Sequence, residues 1–157
     1  MTPSPDGKIA MLRHSVATLA YRGGKALRGA PAEFAGYGSR TPGQILAHVC
    51  DLFDWALTIA DGKQAWHDSQ PQAWEADIAR FFAGLEAFDR RLASEVPLAV
   101  EPERLFQGPV ADALTHVGQI AMLRRMAGCA MSGENYFVAR IEAGRVGADQ
   151  AAPVKQF

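Results

Sequence analysis

An all-helical bundle is the fold class this sequence predicts, and three observations point to it. Apolar residues recur with a helical period along almost the whole chain, and no run alternates with period two. Four of these segments are long enough to share one core, and each is bounded by proline, glycine or capping residues. At 157 residues the chain suits a single domain over residues 1–157, since two separate cores would be cramped.

The first helix is predicted over residues 8–22, with Ile9, Leu12, Val16 and Ala20 on one stripe and Gly23-Gly24 weakening its end. Residues 31–40 read as a glycine-containing loop. The second helix has the clearest start. Thr41 is a good N-cap, Pro42 suits the first helical position, and Gln44 completes a capping-box spacing. It runs to Ala60, where Asp61-Gly62 ends it, and its stripe is Ile45, His48, Leu52, Trp55 and Ile59.

The third helix is predicted over residues 71–95, stopping before Pro97. Trp74, Ile78, Phe81, Leu85, Phe88 and Leu92 form an unbroken core stripe, while Asp77 and Asp89 fall off it. The fourth opens with Pro109 at its first position and stops before Gly128. A short extra helix is expected over residues 134–143, with Ser132 as its cap and Gly144 as its stop, followed by an irregular tail. No internal repeat or low-complexity segment is present.

Composition narrows the function classes. Hydrophobic residues make up 48%, charged residues 21%, and the net charge is −1, which suits a soluble globular protein. No basic tract offers an electrostatic footprint for nucleic acid or an anionic membrane. Residues 1–7 are polar and proline-rich, unlike a signal peptide, and no apolar stretch reaches the ~18 residues needed to span a bilayer. Cys50 and Cys129 are isolated, so neither a disulfide scaffold nor a cysteine zinc site is indicated; they read as small buried residues in a reducing cytoplasm.

Against this background, ionisable groups stand where core should be. His48 lies mid-stripe on the second helix. On the fourth, Ile120, Leu123 and Ala127 define an inward face with His116 at its centre and Asp112 one turn earlier. A buried carboxylate is costly unless it is paired or coordinates a metal. Residues four apart on one helix project side by side, so Asp112 and His116 can grip one ion while His48 reaches it from a facing helix. Three protein ligands leave positions open for water or substrate, the catalytic rather than the structural pattern. Each residue also has a plainer reading: a core histidine satisfied by hydrogen bonds, or an acid placed against a helix dipole.

Other residues attract attention less strongly. Asp51, three residues from His48, is either a carboxylate orienting an imidazole or a solvated or capping group. Gln119 reads as a boundary residue beside His116, and Tyr136 and Arg140 as residues of the last helix with nothing aiming them at the site. His14 and His67 read as surface, and Cys50 falls on nearly the opposite face from His48.

These residues carry a resemblance. The segment Thr41-Pro42-Gly43-Gln44-Ile45-Leu46-Ala47-His48, followed by Trp55, resembles the second-helix motif of the DinB/YfiT-like superfamily of metalloenzymes. Asp112-Ala113-Leu114-Thr115-His116-Val117-Gly118-Gln119-Ile120, followed by Leu123-Arg124, resembles that family's second ligand motif. The family's common pattern has two histidines four apart in the later helix, where this chain has Asp112 and His116. The mycothiol-dependent maleylpyruvate isomerases of the same superfamily are similar in placing a carboxylate there. The resemblance implies a bundle of up-down-down-up order, often dimeric, that binds a divalent ion: zinc or nickel first, with manganese or iron as alternatives. It further implies a thiol-dependent transferase or isomerase using mycothiol, bacillithiol or glutathione on a small-molecule substrate. Hydrolysis by an activated water, and a non-enzymatic metal-binding or stress-related bundle, are the competing readings.

Overall fold

The computed structural model describes residues 5–157, so of the polar opening of the chain the first four residues lie outside it. Its helices are α1 (Pro5–Leu27), α2 (Pro42–Ala60), α3 (Trp74–Ala93), a single turn α4 (Pro102–Leu105) and α5 (Ala111–Met126). A 3-10 turn, Ala32–Gly36, stands in the first loop, and no strand occurs among the described residues. No helix among them is long and apolar enough to cross a membrane.

Cross-chain contacts give the helix directions. Arg13 meets Asp89 and Gly23 meets Phe81, so α1 and α3 run antiparallel. Asp51 meets Arg80 and Asp61 meets Arg91, so α2 and α3 run parallel. His48 meets Asp112 and Trp55 lies over Gly108, so α2 and α5 are antiparallel. Lys8 meets Glu103 and Arg124 reaches the carbonyls of Ala26 and Arg28, so α1 and the last helix run parallel. The order is therefore up-down-down-up, with α1 and α2 on opposite corners of the bundle. A parallel neighbour pair needs a connection that returns along its length. Residues 61–73 do so, passing back along α2 with the backbone N–H of Ala65 donating to Thr58 and that of Ser69 to Asp51.

Several boundaries differ from expectation, each for a packing reason. Helix α1 does not falter at Gly23-Gly24 but continues to Leu27. A Cβ at Gly23 would lie 2.6 Å from Phe81 Cζ, so the glycine admits the ring of α3 rather than ending the helix. The true stop is Gly29, at φ +75°. Helix α2 matches closely: Gln44 N donates to Thr41 Oγ1 at 3.2 Å and Thr41 N donates to Gln44 Oε1 at 3.0 Å. Helix α3 is shorter than predicted at both ends but buries Trp74, Phe81, Leu85, Phe88 and Leu92. Asp77 and Asp89, expected off the core face, are buried too. Asp89 is held by Arg13 through two 2.9 Å bonds, and Asp77 accepts from the backbone of Gln72.

Pro109 does not open the last helix. It sits inside a π turn, Phe106–Val110, that joins α4 to α5 without a break in helical backbone. Proline lacks the N–H that a regular turn would use, and a widened turn absorbs that loss. The short extra helix expected over residues 134–143 is present only in part, and Ser132 does not cap it. Glu134 is instead drawn inward, accepting from the Tyr21 hydroxyl and from Lys25 Nζ at 2.7 Å, while its backbone bridges to Gln156. Only a 3-10 turn, Tyr136–Val138, remains, capped by the Asn135 side chain.

Candidate metal centre

The polar groups singled out on α2 and α5 meet at the seam between those helices. His48 Nε2 lies 3.1 Å from Asp112 Oδ2, His116 Nδ1 lies 3.3 Å from Asp112 Oδ1, and the two imidazole centroids are 4.6 Å apart. One ligand atom from each residue can be chosen so that all lie within 4.8 Å of one another. Two donors on one tetrahedral ion at ~2.05 Å stand about 3.3 Å apart, so the His48–Asp112 spacing already suits a shared ion. His116 Nδ1 is 2.7 Å from the Asp112 backbone carbonyl. That contact makes Nδ1 the protonated nitrogen and leaves the Nε2 lone pair available, the arrangement usual for a metal-ligating imidazole.

The cluster is not in the bundle interior, as the sequence suggested, but at its rim. The side chains of His48, Asp112 and His116 are 27%, 43% and 13% exposed. Two rotations account for this. On α5 the buried face is Ala113, Val117, Ile120 and Arg124 rather than the one running through Leu123 and Ala127. Arg124 belongs to it because its guanidinium turns inward to the last carbonyls of α1 and to Cys129 O. On α2 the most deeply buried residues include Val49, Phe53 and Ala56, and His48 and Trp55 flank them. Asp112 is too exposed to carry a large desolvation penalty, and the half-exposed cluster leaves one side free for an exchangeable ligand. The helix-dipole reading of Asp112 also weakens. The helical backbone runs on from Pro102, so Asp112 lies well inside it, and the dipole effect fades within the first turn.

A second grouping, Asp51, Asp54 and His67, was not expected. His67 is exposed, as predicted, but its Nε2 lies 3.0 Å from Asp54 Oδ2. Asp51 does not orient His48. It is buried and accepts from Ser69 N, Ser69 Oγ and Arg80, anchoring the returning segment. Burial alone would raise its pKa, but the bonds from Ser69 and Arg80 outweigh burial and hold it below the ordinary carboxylate value. Arg80 also bonds Asp54 at 2.7 Å, so a guanidinium already occupies the place a cation would take.

The remaining candidates lie elsewhere. Gln119 and Arg140 are exposed, as is His14. Tyr136 packs on the ring of Tyr21 and under the Arg22 guanidinium, on the α1 side of the bundle. Cys50 is buried, with burial pushing its pKa up to about 12, and Cys129 is only half-buried. A residue that sequence reasoning missed is Trp66. Its ring lies 5.5 Å from that of His48 and 5.8 Å edge-to-face from that of Trp55, yet 42% of the residue stays exposed. Its position follows from the returning connection, which carries no periodic signal. No protein-family model, curated protein or solved structure matches the chain.

Proposed function

We propose that this chain is a divalent-metal protein of the DinB/YfiT-like kind, holding one ion with His48, Asp112 and His116. What supports the reading is one observation: three ligand-capable side chains from two antiparallel helices converge within 4.8 Å at a half-exposed rim, and among the described residues no Lys or Arg pairs with Asp112. Two imidazoles and one carboxylate suit zinc or nickel, with manganese or iron(II) as alternatives, and leave coordination positions open. An ion there supplies Lewis-acid activation of a bound thiol or water near neutral pH. The residues' own part is to orient: Asp112 O fixes the His116 tautomer, and Asp112 bridges the two imidazoles.

We propose further that the activity is a thiol-dependent transfer or isomerisation on a small molecule, with hydrolysis as the second reading. The test is calorimetric titration of the zinc- and nickel-loaded protein with mycothiol, bacillithiol and glutathione. One of them is expected to bind in a manner lost in His48→Ala. Absence of binding by all three moves the reading to hydrolysis. Self-association to a dimer belongs to the same proposal, and light scattering at micromolar concentration checks it.

A further inference from the structure

We propose that Trp66 is a specificity wall of this site, selecting ligands that join an anionic donor atom to a planar, unsaturated body. The inference rests on the metal reading above and deepens it. Three observations carry it. First, Trp66 stands beside the His48 imidazole, 5.5 Å between centroids at 60°, so a ligand coordinated next to His48 has the indole within reach. Second, the indole is held in place rather than free. Ala65 N donates to Thr58 Oγ1 at 3.2 Å on one side of it, Ser69 N donates to Asp51 Oδ2 at 2.8 Å on the other, and Trp66 Nε1 donates to Asp68 at 3.0 Å. A preorganised aromatic surface gives up little entropy on binding. Third, 42% of this large residue stays exposed although Trp55 already packs edge-on against it. An exposed indole beside a polar cluster is surface that a planar group can cover by stacking.

Charge settles the other half of the ligand. A divalent ion with two neutral imidazoles and one carboxylate leaves the centre with a net charge of about +1. A cationic group is repelled at the ion itself, so the coordinating end of the ligand is not cationic. An anionic donor, such as a deprotonated thiol or hydroxamate, is attracted. The plainer role of Trp66, gluing the returning segment to α2 through Trp55, predicts an effect on stability but none on ligand choice.

The probes are acetohydroxamate and benzohydroxamate, which carry the same chelating head without and with a planar ring. Each is titrated by calorimetry into the zinc-loaded full chain, and zinc content is measured separately in every sample. Wild type is expected to bind the benzo compound about five- to tenfold more tightly, the worth of one aromatic contact. Trp66→Phe should keep most of that preference. Trp66→Ala should bring the ratio close to one while acetohydroxamate affinity and zinc content stay unchanged. A preference that persists in Trp66→Ala, or no preference in wild type, overturns the wall. Failure of the wild-type chain to take up zinc overturns the metal reading and the wall with it, and the zinc measurement tells the two failures apart.

Discussion

Helix α2 contributes to two clusters of acid and imidazole side chains, one on each flank, that differ in what balances their charge. On the α3 side, Asp51 and Asp54 share Arg80, at 2.7 Å each, with His67 alongside. On the α5 side, His48, Asp112 and His116 meet, and among the described residues no Lys or Arg pairs with Asp112. Both groupings have the residue types and spacing to hold a divalent ion. Ligand-type residues in proximity do not by themselves make a metal site, because a resident cation can already balance them. Arg80 makes the first cluster a structural clamp for residues 61–73, and that clamp in turn places Trp66 against the second.

The largest expected effect comes from removing that resident cation. Arg80→Met leaves Asp51, which is 2% exposed, without its ion pair and should destabilise the fold by about 3 kcal/mol, read by urea denaturation. It should also allow the Asp51–Asp54–His67 group to take up a second divalent ion, so that added zinc recovers part of the loss. A next-largest effect separates the clusters by chelation. Stripping metal from the loaded wild-type protein should lower Tm by about 5–10 °C while leaving the helical circular dichroism intact, because the core does not include the ligands. Unfolding on chelation would make the α5-side cluster structural and reverse the comparison.

Acid titration sharpens the contrast further. The folded pKa of Asp51 lies below its ordinary value of 3.8, so the native state binds fewer protons there than the unfolded chain. Its contribution is fully present above pH 3.8 and is lost as pH falls through the lower folded value. Wild type should therefore lose stability more steeply than Asp51→Asn in that acid range. The smallest effect is expected at Asp112, whose side chain is 43% exposed. Asp112→Asn in the metal-free protein should change stability by no more than about 0.5 kcal/mol, since half-exposed ion pairs contribute little.

How much of this was legible in the sequence follows from how local each signal is. The Thr41–Gln44 capping box is a four-residue motif, and the structure forms it as its spacing predicts. The Trp74–Leu92 stripe is legible from its spacing as well, except at Ile78, which is only partly buried while its neighbour Asp77 is buried. His48, Asp112 and His116 were legible as a set because each stands at helical spacing from apolar neighbours. Their position at the rim was not, because the burial of Arg124 depends on where α1 ends. Pro109 carried a true local signal with two outcomes, a helix start or a widened turn, and only the packing of α4 distinguishes them. Trp66 and the Arg80 clamp were illegible because both depend on the path of the returning connection, set by the parallel pairing of α2 and α3. Glu134 reads locally as a helix start, but its partners, Tyr21 and Lys25, lie more than a hundred residues away and draw it inward.

The central claim is that the α5-side cluster, not the Arg80-neutralised one, holds an ion. Elemental analysis after reconstitution with zinc, nickel or manganese and removal of excess metal tests it directly in three proteins: wild type, His116→Ala and His67→Ala. The account predicts up to one ion per chain in wild type and in His67→Ala, and none retained in His116→Ala. No metal in wild type, or metal kept by His116→Ala and lost by His67→Ala, would contradict it.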